Sequence, residues 1–124
     1  MSSVYSLTTK VMTAEQERSL YQELQTALGG TFRAFSMMFG VLPPEQCGGQ
    51  GKDRILVYVC VPPYMEVSRR RTLVKDLCAA AERVFGPGAG QSVDVLFPYH
   101  DDENCGVHGV MRCDALAAQK AGRS

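Results

Sequence analysis

"VYSLTT" (residues 4–9) and "VYVCVP" (residues 57–62) are the two stretches whose comparison decides the fold. Laid over each other without a gap, Val4 meets Val57 and Tyr5 meets Tyr58. Carried forward, the same alignment sets Arg18 on Arg71, Leu20 on Leu73, Glu23 on Asp76, Leu24 on Leu77 and Ala27 on Ala80. Apolar periodicity alone makes helices resemble one another. Here the matches fall where two copies of one unit would keep the same packing, and the order of elements repeats with them.

Working outward, residues 4–9 read as a strand of β-branched and aromatic residues that begins almost at the terminus. Thr13 and Gln16 form a capping-box pair, and Leu20, Leu24, Ala27 and Leu28 then share one helix face. Gly29 and Gly30 stop that helix. "TFRAFSMMFGVL" (31–42) reads as a strand buried on at least one face, and the Pro- and Gly-rich stretch 43–53 as a loop. "ILVYVCV" (55–61) is apolar throughout, as a central strand should be. Residues 66–85 read as a second helix, 86–91 as its stop and turn, and 92–99 as a fourth strand. In the tail, "CGVHGVMRC" (105–113) suggests a short edge strand, with a helical turn or frayed end after it. The domain organisation expected is one domain over 1–124, with repeat units at about 3–42 and 54–99 and a tail at 100–124.

Two strand–helix–strand units with parallel strands place their helices on one face of a four-stranded sheet. The expected class is therefore α+β, with the second face bare. Phe35, Met37, Phe39, Val57, Val59, Val61, Val93, Val95 and Phe97 are candidates for one face or the other. An apolar face of that size is a binding surface or an oligomer interface, and a homo-oligomer is expected.

Lys plus Arg and Asp plus Glu both count 13, so the formal net charge is zero. That gives no support for a nucleic-acid or membrane partner, which would favour a basic surface. No signal peptide and no membrane-spanning run is legible. Five cysteines, an odd number, suggest free thiols in a reducing, cytoplasmic setting. Cys60 falls in a strand and Cys78 on a helix, where a buried thiol acts as a small hydrophobe.

"VYSLTTKVMTAEQERSLYQELQTA" (4–27) is similar to the N-terminal unit of long-chain tautomerase superfamily members. "DENCGVHG" (102–109) looks like the Cys-Gly-aromatic-Asn-Gly segment of the macrophage migration inhibitory factor branch. The resemblance covers residues 2–111. It implies a trimer whose sheets enclose a common core, and an N-terminal proline whose secondary amine carries protons. The proline is missing here. Ser3 holds its slot and Ser2 precedes it, so removal of Met1 would leave a primary amine at Ser2. Such an amine has a pKa of about 7.7–8.0 and can still act as a base. The lysine that many relatives place after the first helix is replaced by Gly29-Gly30, and the arginine-bearing loop of dehalogenase members reads "PPYME" (62–66) here.

Candidate site residues are therefore Ser2 and Ser3 as proton carriers, Arg33 and Arg54 as substitute cations, and Tyr99 and His108 as neighbours. Two functions follow: keto–enol isomerisation of a small 2-oxo acid or phenolic enol without a cofactor, or a non-catalytic binding or assembly subunit of the same fold. Arg69, Arg70 and Arg71 read as a solvated face, with carboxylate or phosphate binding the sharper alternative. His100, Cys105, His108 and Cys113 have soft ligands but not the spacing of a zinc knuckle, and no metal is expected. Tyr5, Tyr58, Tyr64 and Tyr99 suit either strand packing or a pocket wall.

Overall fold

A computed structural model describes residues 2–123. Strand β1 (Ser2–Thr8) leads to helix α1 (Ala14–Gly29) and strand β2 (Phe35–Val41). The second unit repeats the order with β3 (Ile55–Cys60), α2 (Val67–Phe85) and β4 (Val93–Leu96). The tail forms β5 (Gly106–Val107), β6 (Val110–Met111) and α3 (Arg112–Arg123).

Helix α1 starts where its capping chemistry is. Thr13 Oγ1 accepts from the Gln16 amide at 3.1 Å, and Gln16 Oε1 accepts from the Thr13 amide at 2.9 Å. The chain leaves α1 by bonding Thr31 and Phe32 amides back to Leu28 O. Those two residues are thus held against the helix end, and β2 begins at Phe35 rather than at 31.

The four long strands form one sheet in the order β2-β1-β3-β4. Pairing is parallel within each unit and antiparallel across the middle, between β1 and β3. In that central pair Tyr5 lies opposite Tyr58, its own mate in the repeat. A residue can pair with its repeat mate only near a local two-fold axis, so the sequence repeat and the antiparallel register are two expressions of one symmetry.

Leu20, Leu24 and Leu28 of α1 and Leu73 and Leu77 of α2 are fully buried with Val4, Ile55, Val57 and Val59. Each such side chain contributes about 1.5–3 kcal/mol through burial. All nine strand residues nominated for one face or the other pack on this helical side. The second face is built by the alternate positions: Tyr5, Leu7, Met38, Tyr58 and Leu96 are all exposed there.

Two further elements differ from expectation. The fourth strand is cut to Val93–Leu96, because a single turn of 3-10 helix takes Ala89–Ser92. Beyond it Pro98 has no amide to donate, and one parallel bridge from Val61 to Tyr99 remains. The tail is a hairpin, not an edge strand, and it is followed by a twelve-residue helix rather than a single turn. His108 and Gly109 make the hairpin turn with φ of 56° and 80°. Two successive left-handed residues match the twist of a tight hairpin.

Candidate active-site cleft at the start of strand β1

Alternation along β1 turns Ser2 toward the helices and Ser3 toward the bare face. Ser2 is 6% exposed. It lines an open cleft of about 450 Å³ with Phe32, Pro62, Tyr64, Met65, Glu66 and Arg69. Three short segments supply these residues: the exit of α1, the turn after β3, and the first turn of α2. The floor is apolar, since Met65 is buried and Phe32 packs on the core. Tyr64 stands 84% exposed at the mouth.

Arg69 gives the cleft its cation. Its Nη2 donates to Thr31 O at 2.7 Å, which ties the guanidinium to the chain between α1 and β2. A guanidinium has five donors in a planar fork, so one bond to a carbonyl leaves others for a carboxylate. Glu66 sits one helical turn earlier on the same wall and gives it an anion. A guanidinium tied to the chain, a carboxylate and an apolar floor are groups that can bind a small organic anion.

Of the six residues nominated from sequence, Ser2 alone among them lines this cleft. Ser3 pairs with Ser36 and Cys60 on the other side of the sheet. Arg33 is exposed in the chain between Phe32 and Phe35. Arg54 lies at the opposite end of β1, roughly 20 Å away along the strand. Its Nε and Nη2 bind both oxygens of Asp94 at 3.0 and 2.6 Å, and its Nη1 donates to Gln91 O at 3.2 Å. The hydrogen bonds donated to Asp94 raise the Arg54 pKa further. Tyr99 is 68% exposed on the same sheet edge as Ser2, two strands away. His108 occupies the hairpin turn.

The arginine run divides. Arg71 is exposed, as a solvated face requires, while Arg69, also exposed, lines the cleft. Arg70 turns the other way, with its guanidinium 6.0 Å from the Phe97 ring centre. Glu66, Met65 and Phe32 were not singled out from sequence at all. Among the described residues, no group of three or more His, Cys, Asp or Glu is placed to share a metal ion. Burial pushes the Cys60 and Cys78 thiols up, with Glu82 adding to the second. No helix among the described residues is long and apolar enough to cross a membrane.

No protein-family model and no curated protein matches the sequence. Solved structures do match. The chain superposes on Pt0534 inactivated by 2-oxo-3-pentynoate with a TM-score of 0.74 at 18% identity, over 92% of this chain and 98% of that one. A fused 4-OT asymmetric trimer matches with a TM-score of 0.72 at 17% identity, over 93% and 98%. Macrophage migration inhibitory factor from Toxoplasma gondii matches with a TM-score of 0.61 at 15% identity, over 86% and 96%. Over nearly its whole length, the chain has the fold of the tautomerase superfamily.

Proposed function

We propose that this chain is a tautomerase-like enzyme that interconverts the keto and enol forms of a small 2-oxo acid. With Met1 removed, the α-amine of Ser2 carries the proton and Arg69 holds the substrate carboxylate. The observation that carries this reading is the position of Ser2: nearly buried, yet lining a cleft that also holds Arg69. An α-amine titrates at about 7.7–8.0, so both its forms are populated near neutral pH. A primary amine on a flexible serine is less well oriented than a ring nitrogen, and a displacement of about 1 Å costs rate, so modest turnover is expected.

The exposed face of Tyr5, Leu7, Met38, Tyr58 and Leu96 supports assembly into a homotrimer. The same face is the observation that favours a second reading, an assembly or binding subunit without chemistry. A cytoplasmic setting is proposed on the free cysteines. The deciding experiment follows enol-to-keto conversion of an arylpyruvate by untagged protein that sediments as a trimer, before and after acetylation of its terminus. Activity that acetylation abolishes is the expected result. No rate above buffer in the unmodified protein would leave the assembly reading standing.

A further inference from the structure

The displacement of 53 positions that superposes the two units sets Thr13 on Glu66 and Gln16 on Arg69. In the first unit this pair caps α1, with the hydroxyl and the amide closing a box around the helix start. In the second unit it does neither job. Glu66 occupies the cap position of α2 and makes no side-chain cap. Glu66 and Arg69 both line the cleft beside Ser2 instead. Among the described residues, the carboxylate takes only a long bond of 3.4 Å from Ser68 Oγ. Helix α2 thus starts without the bond a Thr would make, and a carboxylate and a guanidinium stand in the cleft where the first unit has a cap.

Keto–enol exchange moves a proton between the oxygen on C2 and the carbon C3 of a 2-oxo acid. One amine at one end of that path leaves the other end to solvent. We propose that Glu66 is the second proton carrier, a catalytic residue for the reaction proposed above, on which this inference rests. In the direction of ketonisation, the Glu66 carboxylate takes the proton of the enol hydroxyl as the C2–O bond becomes a carbonyl. The electron pair of the C2=C3 bond takes a proton from the Ser2 ammonium, forming a C–H bond at C3 and breaking an N–H bond. The product leaves with Glu66 protonated and the amine neutral, and transfer of that proton to the amine restores both. Arg69 holds the carboxylate on C1 throughout. The titratable and charged side chains that line the cleft with Glu66 are the Tyr64 phenol and Arg69, and the proposed amine of Ser2 would join them.

The test measures kcat and KM for an arylpyruvate enol from about pH 5 to about pH 9, with untagged wild-type protein, Glu66→Gln and Glu66→Thr. Glu66→Gln is expected to lower kcat about 100-fold and to leave KM within about twofold. It also keeps the alkaline limb of the pH profile, which belongs to the amine. Glu66→Thr restores the cap, so its melting temperature rises by about 3–5 °C while kcat falls as far. A gain in stability with a loss of turnover separates chemistry from folding. Unchanged kcat in both variants, in a wild type that acetylation still silences, overturns the role of Glu66 alone. A wild type with no rate above buffer overturns it together with the tautomerase reading.

Discussion

The Ser2 end of β1 and the Ile55 end of β3 are equivalent places in the two units, and they are finished differently. At the Ile55 end the chain leading into the strand is itself part of the packing. Thr9 Oγ1 donates to Gly51 O at 2.6 Å and accepts from the Arg54 amide at 2.9 Å. Lys10 Nζ lies 3.0 Å from Asp53 and 5.0 Å from the centre of the Phe85 ring. Ile55 is fully buried beneath these contacts. At the Ser2 end, the mates of Thr9, Lys10 and Phe85 are Pro62, Pro63 and Phe32, and none of them has a polar group to close the gap. The cleft lies there. Equal packing inside and unequal finishing at the ends is how one duplicated unit presents two different clefts: the one at the Thr13–Gln16 start of α1 holds about 420 Å³ but has no strand residue in its lining, whereas the one at Ser2 does.

The largest test of this contrast asks whether the interior is as symmetric as it looks. Leu24→Ala and Leu77→Ala remove mated, fully buried side chains. Each is expected to cost about 3 kcal/mol in urea unfolding. A difference of more than about 1.5 kcal/mol between them would break the equivalence of the two units.

Next in size is the closed end. Thr9→Val keeps the shape but leaves Gly51 O and the Arg54 amide without their partner. About 1–2 kcal/mol of stability should be lost, measured in the same way. A near-neutral result would mean that the loop before β3 is held by its backbone bonds alone and that the Ile55 end is closed more loosely than drawn.

The smallest effect lies with the thiols, which only the second unit carries: the mates of Cys60 and Cys78 are Leu7 and Gln25. Burial raises both thiol pKa values in the folded protein. The folded state therefore holds these protons more tightly than the unfolded chain does. The stabilisation is complete below the unfolded value of about 8.5 and is lost as pH rises through the folded values. Unfolding free energy should fall as pH rises through the folded thiol values. The decline should be shallower in Cys78→Ala. An unchanged slope in that variant would show that Cys78 is not part of the alkaline loss.

Much of the molecule was legible from local chemistry. The Thr13–Gln16 box, the stop at Gly29-Gly30 and the leucines at helical spacing each act within a few residues, so α1 could be read directly. The repeat then supplied the second unit and the bare face. What could not be read turned on competing local turns and on contacts between segments far apart in the chain. The strand expected at 31–42 lost its first residues because Thr31 and Phe32 bond back to Leu28. The strand expected at 92–99 lost its ends to a 3-10 turn and to Pro98. Arg69, Arg70 and Arg71 look alike in a row, yet helix geometry sends them about 100° apart, to three different surroundings. The one sequence signal for the charged wall was the repeat carried back from Arg18 on Arg71, by two positions to Gln16 on Arg69 and by five to Thr13 on Glu66.

By itself, then, the sequence determined the order of elements, the helical face that is buried and the existence of a second, apolar sheet face, because periodicity and capping are local. Only the tertiary structure decided which end of the sheet stays open and which of the many arginines belongs there. That choice rests on the antiparallel pairing of β1 with β3, which carries the two ends to opposite edges. It rests also on whether each end finds a polar partner from a distant loop. The Ile55 end does, in Thr9, Gly51 and Asp53, and the Ser2 end keeps its cleft.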